Sequence, residues 1–101
     1  MRRGELWRAP SPIRDRIILL ISSQDLIDQG ATMLYGVEAD DNDPGPLLLV
    51  VPVQVEGEQR WLNVARGITR VPRRSLTQSY GRADPVVLDQ IDALVRVALD
   101  L

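Results

Sequence analysis

Residues 16–21, RIILLI, are an unbroken aliphatic run that follows a single arginine. Polar–apolar alternation is absent and β-branched residues dominate, so the run reads as a strand buried on both faces rather than one facing water. A short strand is expected at 4–8, and the intervening APSPIRD at 9–15 holds two prolines and cannot be helical. The segment therefore fixes a lone cation, Arg16, at the rigid edge of a sheet. Only four aromatics occur, Trp7, Trp61, Tyr35 and Tyr80, with no Phe, so aliphatic strands have to supply the core.

The rest of the chain adds strands and a helix. Ser22 or Ser23 can cap one helical turn through Asp28, with Gly30 as its stop. Residues 31–39 are read as a strand, and DDNDPGP at 40–46 as a turn separating two antiparallel strands. The strongest strand signal is 47–55, where Pro52 removes a ladder donor and demands a bulge or an edge. EGEQ is the next turn, followed by short strands at 60–65 and 67–71 and one helical turn at 73–78, closed at Gly81. The final helix is the clearest element. Asp84 offers a capping oxygen, Pro85 suits the first helical position, and Leu88, Ile91, Leu94 or Val95, and Ala98 recur at helical spacing. Asp92 and Arg96 are spaced for an i,i+4 ion pair on the opposite side. Several short, mostly antiparallel strands followed by an amphipathic helix describe a mainly β fold, a small twisted barrel with a helix packed outside, over a single domain of 101 residues.

Composition removes several chemistries. With no Cys there are no disulfides or thiolate metal sites, and with no His the commonest acid–base group and nitrogen ligand are missing. Catalysis would be metal-independent or use carboxylates, hydroxyls and arginine. No cofactor is expected. The basic start lacks the apolar stretch of a secretory signal and the longest apolar run, 47–53, is too short for a bilayer, so a soluble, cytoplasmic chain without membrane contact is expected. The net charge of -2 conceals a division: residues 17–58 hold eight acidic side chains and no cation, whereas the remainder carries twelve arginines against six acids. Such a division suggests one face that meets phosphates through arginine forks and one that repels them.

The pieces RRGELW, RIILLIS, LLLVVPVQ, WLNVARGITRVPRRSL and GRADPVVLDQIDALVRVAL, in this order and spacing, resemble the MazF/PemK/Kid toxins, with only residues 23–46 fitting poorly. The likeness lies in a Gly-acidic-aliphatic-aromatic first strand (Gly4, Glu5, Leu6, Trp7), an arginine before the second strand (Arg16), and Asn63, Gly67-Ile68-Thr69 and the basic run 71–76. It ends in a Leu-x-x-Ile-Asp-Ala-Leu helix, residues 88–94. The resemblance implies an SH3-like β-barrel of the CcdB/MazF kind, a homodimer that cuts single-stranded RNA without a metal, and a cognate antitoxin whose flexible tail covers the RNA groove. It also implies an internal attack of the ribose 2′-hydroxyl on the adjacent phosphate, with Arg16 stabilising charge on the phosphoryl oxygens.

Two departures from the family pattern stand out. Only residues 8–15 separate Trp7 from Arg16, a shorter first loop than many members have, so the groove should be more open. Where the family has a Thr or Ser ending the strand taken to correspond to LLLVVPV, this chain has Gln54, which can orient a phosphoryl oxygen but cannot act as a base. Asp15 or Glu5 is then expected to take the proton, Asp15 being closer in sequence, although it could instead pair with Arg14 or Arg16. Arg14, Arg70, Arg73 and Arg74 are the expected RNA contacts. Trp61 could stack on a base, with core or dimer interface as the alternative for both tryptophans. Two other readings are a non-cleaving binding module and a gyrase-binding toxin like CcdB. The Ala-Leu-Asp-Leu at 98–101 lacks the Trp-Gly-Ile type ending of the latter.

Overall fold

The computed structural model describes residues 1–46 and 49–100. In chain order the elements are β1 (Glu5–Ala9), β2 (Arg16–Leu20), α1 (Gln24–Asp28), β3 (Met33–Asp40), β4 (Val50–Val55), β5 (Glu58–Asn63), β6 (Thr69–Pro72), β7 (Gln78–Arg82) and α2 (Pro85–Leu99). Single 3-10 turns at Val64–Arg66 and Arg73–Ser75 precede β6 and β7. The antiparallel sheet runs β4-β5-β3-β2-β1-β7, and β6 also pairs with β3, at the end of that strand β5 leaves free. It is a curled half-barrel with a terminal helix, the mainly β, barrel-like architecture expected from the strand pattern; among the described residues β4 and β7 end the path without pairing to one another.

Two apolar layers flank β2. Ile17 and Leu19 point into a core completed by β3, β4, β5 and the inner side of α2, where Ile91 is fully buried. Ile18 and Leu20 point the other way, into a smaller core with Leu34, Val71, Leu76 and Ile27 of α1. This two-sided burial is what the unbroken run RIILLI demanded, since every side chain of such a strand must leave water whichever way it points. Burying a side chain of this size stabilises by about 1.5–3 kcal/mol relative to leaving it exposed. Gly36 permits the close β2–β3 approach on the second side. A β-carbon there would lie 2.2 Å from Ile18 Cγ2 and 2.7 Å from the Leu19 carbonyl oxygen, and the latter is backbone that cannot move aside.

Several sequence expectations need correction. The loop after β3 does not join two paired strands, because among the described residues β4 pairs with β5, which lies between it and β3. Val55 faces Glu58, so the β4–β5 turn is just Glu56 and Gly57, with φ of 54° and 79°, the positive values a two-residue hairpin turn requires. β5 consequently starts two residues earlier than expected. The segment 78–82 is not the end of a helical turn but β7, whose register with β1 places Ser79 opposite Trp7. A strand of Gln, Ser, Tyr, Gly and Arg carries no apolar alternation, and β1 supplies the ladder that its own sequence does not announce. Leu47 and Leu48, expected to begin β4, lie outside the described residues.

Helix ends follow local chemistry as read. The Ser23 hydroxyl accepts from the Leu26 N–H at 3.3 Å, and the Asp84 carboxylate from the Val86 N–H at 2.9 Å. Asp92, however, pairs with Arg3 across the tertiary structure rather than with Arg96 along the helix. Among the described residues no helix is long and apolar enough to cross a membrane.

Candidate functional site

α1, β6 and the turn at Arg73–Ser75 cover one end of the sheet's second face, over Ile18, Leu20 and Leu34. Among the described residues the other end, where β2 begins and β3 and β5 finish, has no such cover. Strand alternation decides which side chains stand there. Arg16 is two residues before Ile18 and shares its face, and Glu38 lies directly opposite Ile18 on β3. Ala9 lies opposite Arg16, which puts Trp7 on the same face as well. Glu38 and Trp7 are thus the diagonal neighbours of Arg16 on either side, about 7–8 Å away, a distance long side chains bridge. Asp40 follows Glu38 on that face, with Trp61 of β5 opposite it and Asn63 two residues further along.

The charges of this corner are paired, with one exception. Arg14 donates to Glu38 at 2.9 Å and stands 3.9 Å from Asp41, which fastens the loop before β2 to β3. Arg66 donates to the nearly buried Asp40 at 2.8 Å. That hydrogen bond, the Asp40 charge and then the Glu38 charge hold the Arg66 guanidinium above its ordinary range, so it is always charged. Arg16 has no carboxylate partner among the described residues. Its Nε is buried without an acceptor, and so is the Trp7 indole nitrogen. Buried donors are nearly always satisfied, so two unpartnered N–H groups on diagonal neighbours make this corner a candidate for holding an anion or acceptor.

The other expected site residues are placed elsewhere. Asp15 does not reach toward Arg16. It accepts from Arg8, at 2.8 Å from Nε and with a second contact from Nη2, and Arg8 lies on the face of β1 opposite Trp7. Gln54 is on the edge strand β4, separated from β2 by β5 and β3, and donates to Gln59 at 2.8 Å. The two residues expected to flank Arg16 are therefore not assembled with it, because its real neighbour is the strand 33–40 rather than 47–55. Arg14 does stand beside it. Arg73 donates to the carbonyl oxygens of Ala31 at 2.8 Å and Ile27 at 2.6 Å, fixing the chain that follows α1 instead of offering itself to a ligand. Arg70 is exposed opposite Tyr35, and Arg74 is exposed at a shallow cleft with Thr32 and Met33. Glu38 and Asp40 were missed, although their i,i+2 spacing on a segment already read as a strand is enough to place both on one face. Among the described residues no group of three or more acidic side chains is arranged to hold a metal.

No protein-family model matches the sequence, and no curated protein matches it. Solved structures do match. An endoribonuclease from a mycobacterial species, seen in complex with its cognate antitoxin, superposes with a TM-score of 0.85 at 17% identity, over 100% of this chain and 96% of that one. MazF in a MazE–MazF complex from Deinococcus radiodurans gives 0.80 at 15% identity, over 100% and 97%. The Mycobacterium tuberculosis toxin MazF-mt6 gives 0.79 at 15% identity, over 96% and 97%. The chain has the fold of these toxins from end to end.

Proposed function

We propose that residues 1–101 form a single MazF-like toxin domain, an endoribonuclease that cleaves single-stranded RNA in the cytoplasm and is held inactive by a cognate antitoxin. The observation that carries this reading is the guanidinium of Arg16, unpaired among the described residues and set at the uncovered end of a sheet whose fold is that of ribonuclease toxins. Planar donors that stay charged at any physiological pH match two phosphoryl oxygens, and a rigid strand holds them in place.

The reaction needs a base, a charge stabiliser and a proton for the leaving group. The 2′-hydroxyl of the bound strand gives its proton to the Glu38 carboxylate, a diagonal neighbour of Arg16 on the same face, since Asp40 is buried and tied to Arg66. The freed oxygen attacks the adjacent phosphorus, the bond from phosphorus to the 5′-oxygen breaks, and the 5′-oxygen leaves with a proton from solvent. Arg16 stabilises the charge that collects on the phosphoryl oxygens. The products are a 2′,3′-cyclic phosphate and a 5′-hydroxyl. Glu38 takes the role first given to Asp15, because Asp15 is turned to Arg8 on the other face of β1 whereas Glu38, held by Arg14, stands on the face of Arg16.

The active form is a homodimer. Val86, Ala93 and Val97 form an exposed stripe along α2, with Val86 61% and Val97 68% exposed, an apolar surface that a second copy would cover. An antitoxin tail of acidic character would block the corner by engaging Arg16 in place of a phosphate.

Incubation of the purified protein with a long unstructured RNA in excess chelator tests the proposal. Wild type should cut, Arg16→Ala should not, and binding should weaken as salt rises. Intact RNA bound by wild type would instead favour a non-cleaving module.

A further inference from the structure

Beside the Arg16 corner lies a second feature that phosphate chemistry leaves unexplained. Asp40, Asp41, Asp43, Asn63, Arg14 and Arg66 border a cleft of about 260 Å³ where β3 and β5 end. Its size is below that of pockets for drug-sized ligands and suits one flat ring system. Asn63 at its wall is 6% exposed, and its Oδ1 is buried without a hydrogen-bond donor. A buried acceptor left unmatched counts against folding unless something completes it. Trp61, the preceding residue on the same face of β5, offers a half-buried indole next to it.

We propose that this cleft receives one unpaired guanine of the RNA strand; the proposal rests on the RNA-cleaving reading and extends it to base choice. The acidic wall keeps phosphates out and admits a neutral base edge, so the two neighbouring sites sort base from backbone. Acceptors are available here: Asp41 is exposed with only a 3.9 Å contact to Arg14, Asp43 borders the cleft with one oxygen taken by the Gly45 N–H, and the Asn63 carbonyl has no donor. Guanine carries more Watson–Crick donors, N1–H and the N2 amino group, than any other RNA base. Its O6 and N7 are the usual arginine acceptors, and Arg66 spends only Nη1 on Asp40, leaving the rest of its donor fork free of protein partners among the described residues. Trp61 supplies the stacking surface that single-strand binders place beside such a pocket.

The test uses four pentanucleotides with 2′-O-methyl groups throughout, which remove the attacking hydroxyl and prevent cutting, identical except for a central G, A, C or U. Affinity for wild type is read from tryptophan fluorescence. The guanine oligomer should bind about tenfold tighter than the other three, the effect of one good set of base-edge contacts. Asn63→Leu and Asp41→Asn should each bring it down to the level of the uracil oligomer. Asp41 is exposed, so its substitution leaves folding out of the question. Equal binding of all four, or a guanine preference that survives both substitutions, overturns the pocket while leaving the RNA-binding reading intact. Failure of all four to bind overturns that reading and the pocket with it. Displacement of no oligomer by guanosine but of all by an arginine-rich peptide assigns the cleft to a protein partner and also overturns the proposal.

Discussion

Arg16 and Arg73 carry the same guanidinium at opposite ends of the same face of the sheet, in opposite states. Arg73 spends its donors on the carbonyls of Ile27 and Ala31 and ties β6 to α1. Arg16 sits in a rigid strand with a buried Nε that has nothing to bond and no ion pair among the described residues. The first end is covered by a helix, a strand and a turn, and its polar groups are used up in holding that cover. The second lacks such a cover among the described residues, and buried polar atoms of Arg16, Trp7 and Asn63 have no hydrogen-bond partner there. The difference teaches that an arginine's role is set by whether its donors are already satisfied, since a spent guanidinium cannot also hold a phosphate.

The comparison breaks most directly at Arg16. Arg16→Ala should reduce RNA cleavage by on the order of 10²–10³-fold, the loss that follows removal of one donor to a developing oxyanion. Its urea unfolding midpoint should fall only slightly, because no hydrogen bond or ion pair is lost and only the packing of a part-buried stem is removed. A large drop in stability would show that Arg16 belongs with Arg73. Glu38→Gln should slow single-turnover cleavage by about 10²-fold with RNA affinity nearly unchanged, since the amide still accepts from Arg14 but cannot take a proton. Equal activity in the two proteins would remove Glu38 from the reaction.

Arg73→Ala sharpens the other side. Two charge-assisted hydrogen bonds to backbone carbonyls are lost, for roughly 2–4 kcal/mol in urea unfolding. Cleavage per folded molecule should be unaffected. The smallest effect belongs to Asp15→Asn. Its pair with Arg8 is about half exposed, so stability should move by less than about 1 kcal/mol and cleavage not at all, measured by the same two assays. A strong activity loss there would return the proton-accepting role to Asp15.

Most of the fold was legible because it rests on local signals. RIILLI announced a strand buried on both faces, Ser23 and Asp84 announced helix starts, and Pro52 announced an edge. β7 was not legible, since Gln78–Arg82 is held by β1 rather than by a pattern of its own. Of the candidate site, the placement of Arg16 and Arg14 side by side before β2 was legible, whereas Gln54 and Asp15 were assigned by nearness in sequence or by a motif, and neither tells which strand lies beside β2.

What the sequence determined by itself was therefore the inventory and its periodicity: aliphatic strands, a capped terminal helix, cations supplied only by arginine and no histidine to do acid–base work. Tertiary structure decided which of those arginines remain free. Hydrogen-bond partners such as Ile27, Glu38 and Asp40 lie far from Arg73, Arg14 and Arg66 along the chain, at 46, 24 and 26 residues. Strand register, with the loops and turns it sets in place, brings them together, and a side chain's available chemistry is what remains after those partners have been served.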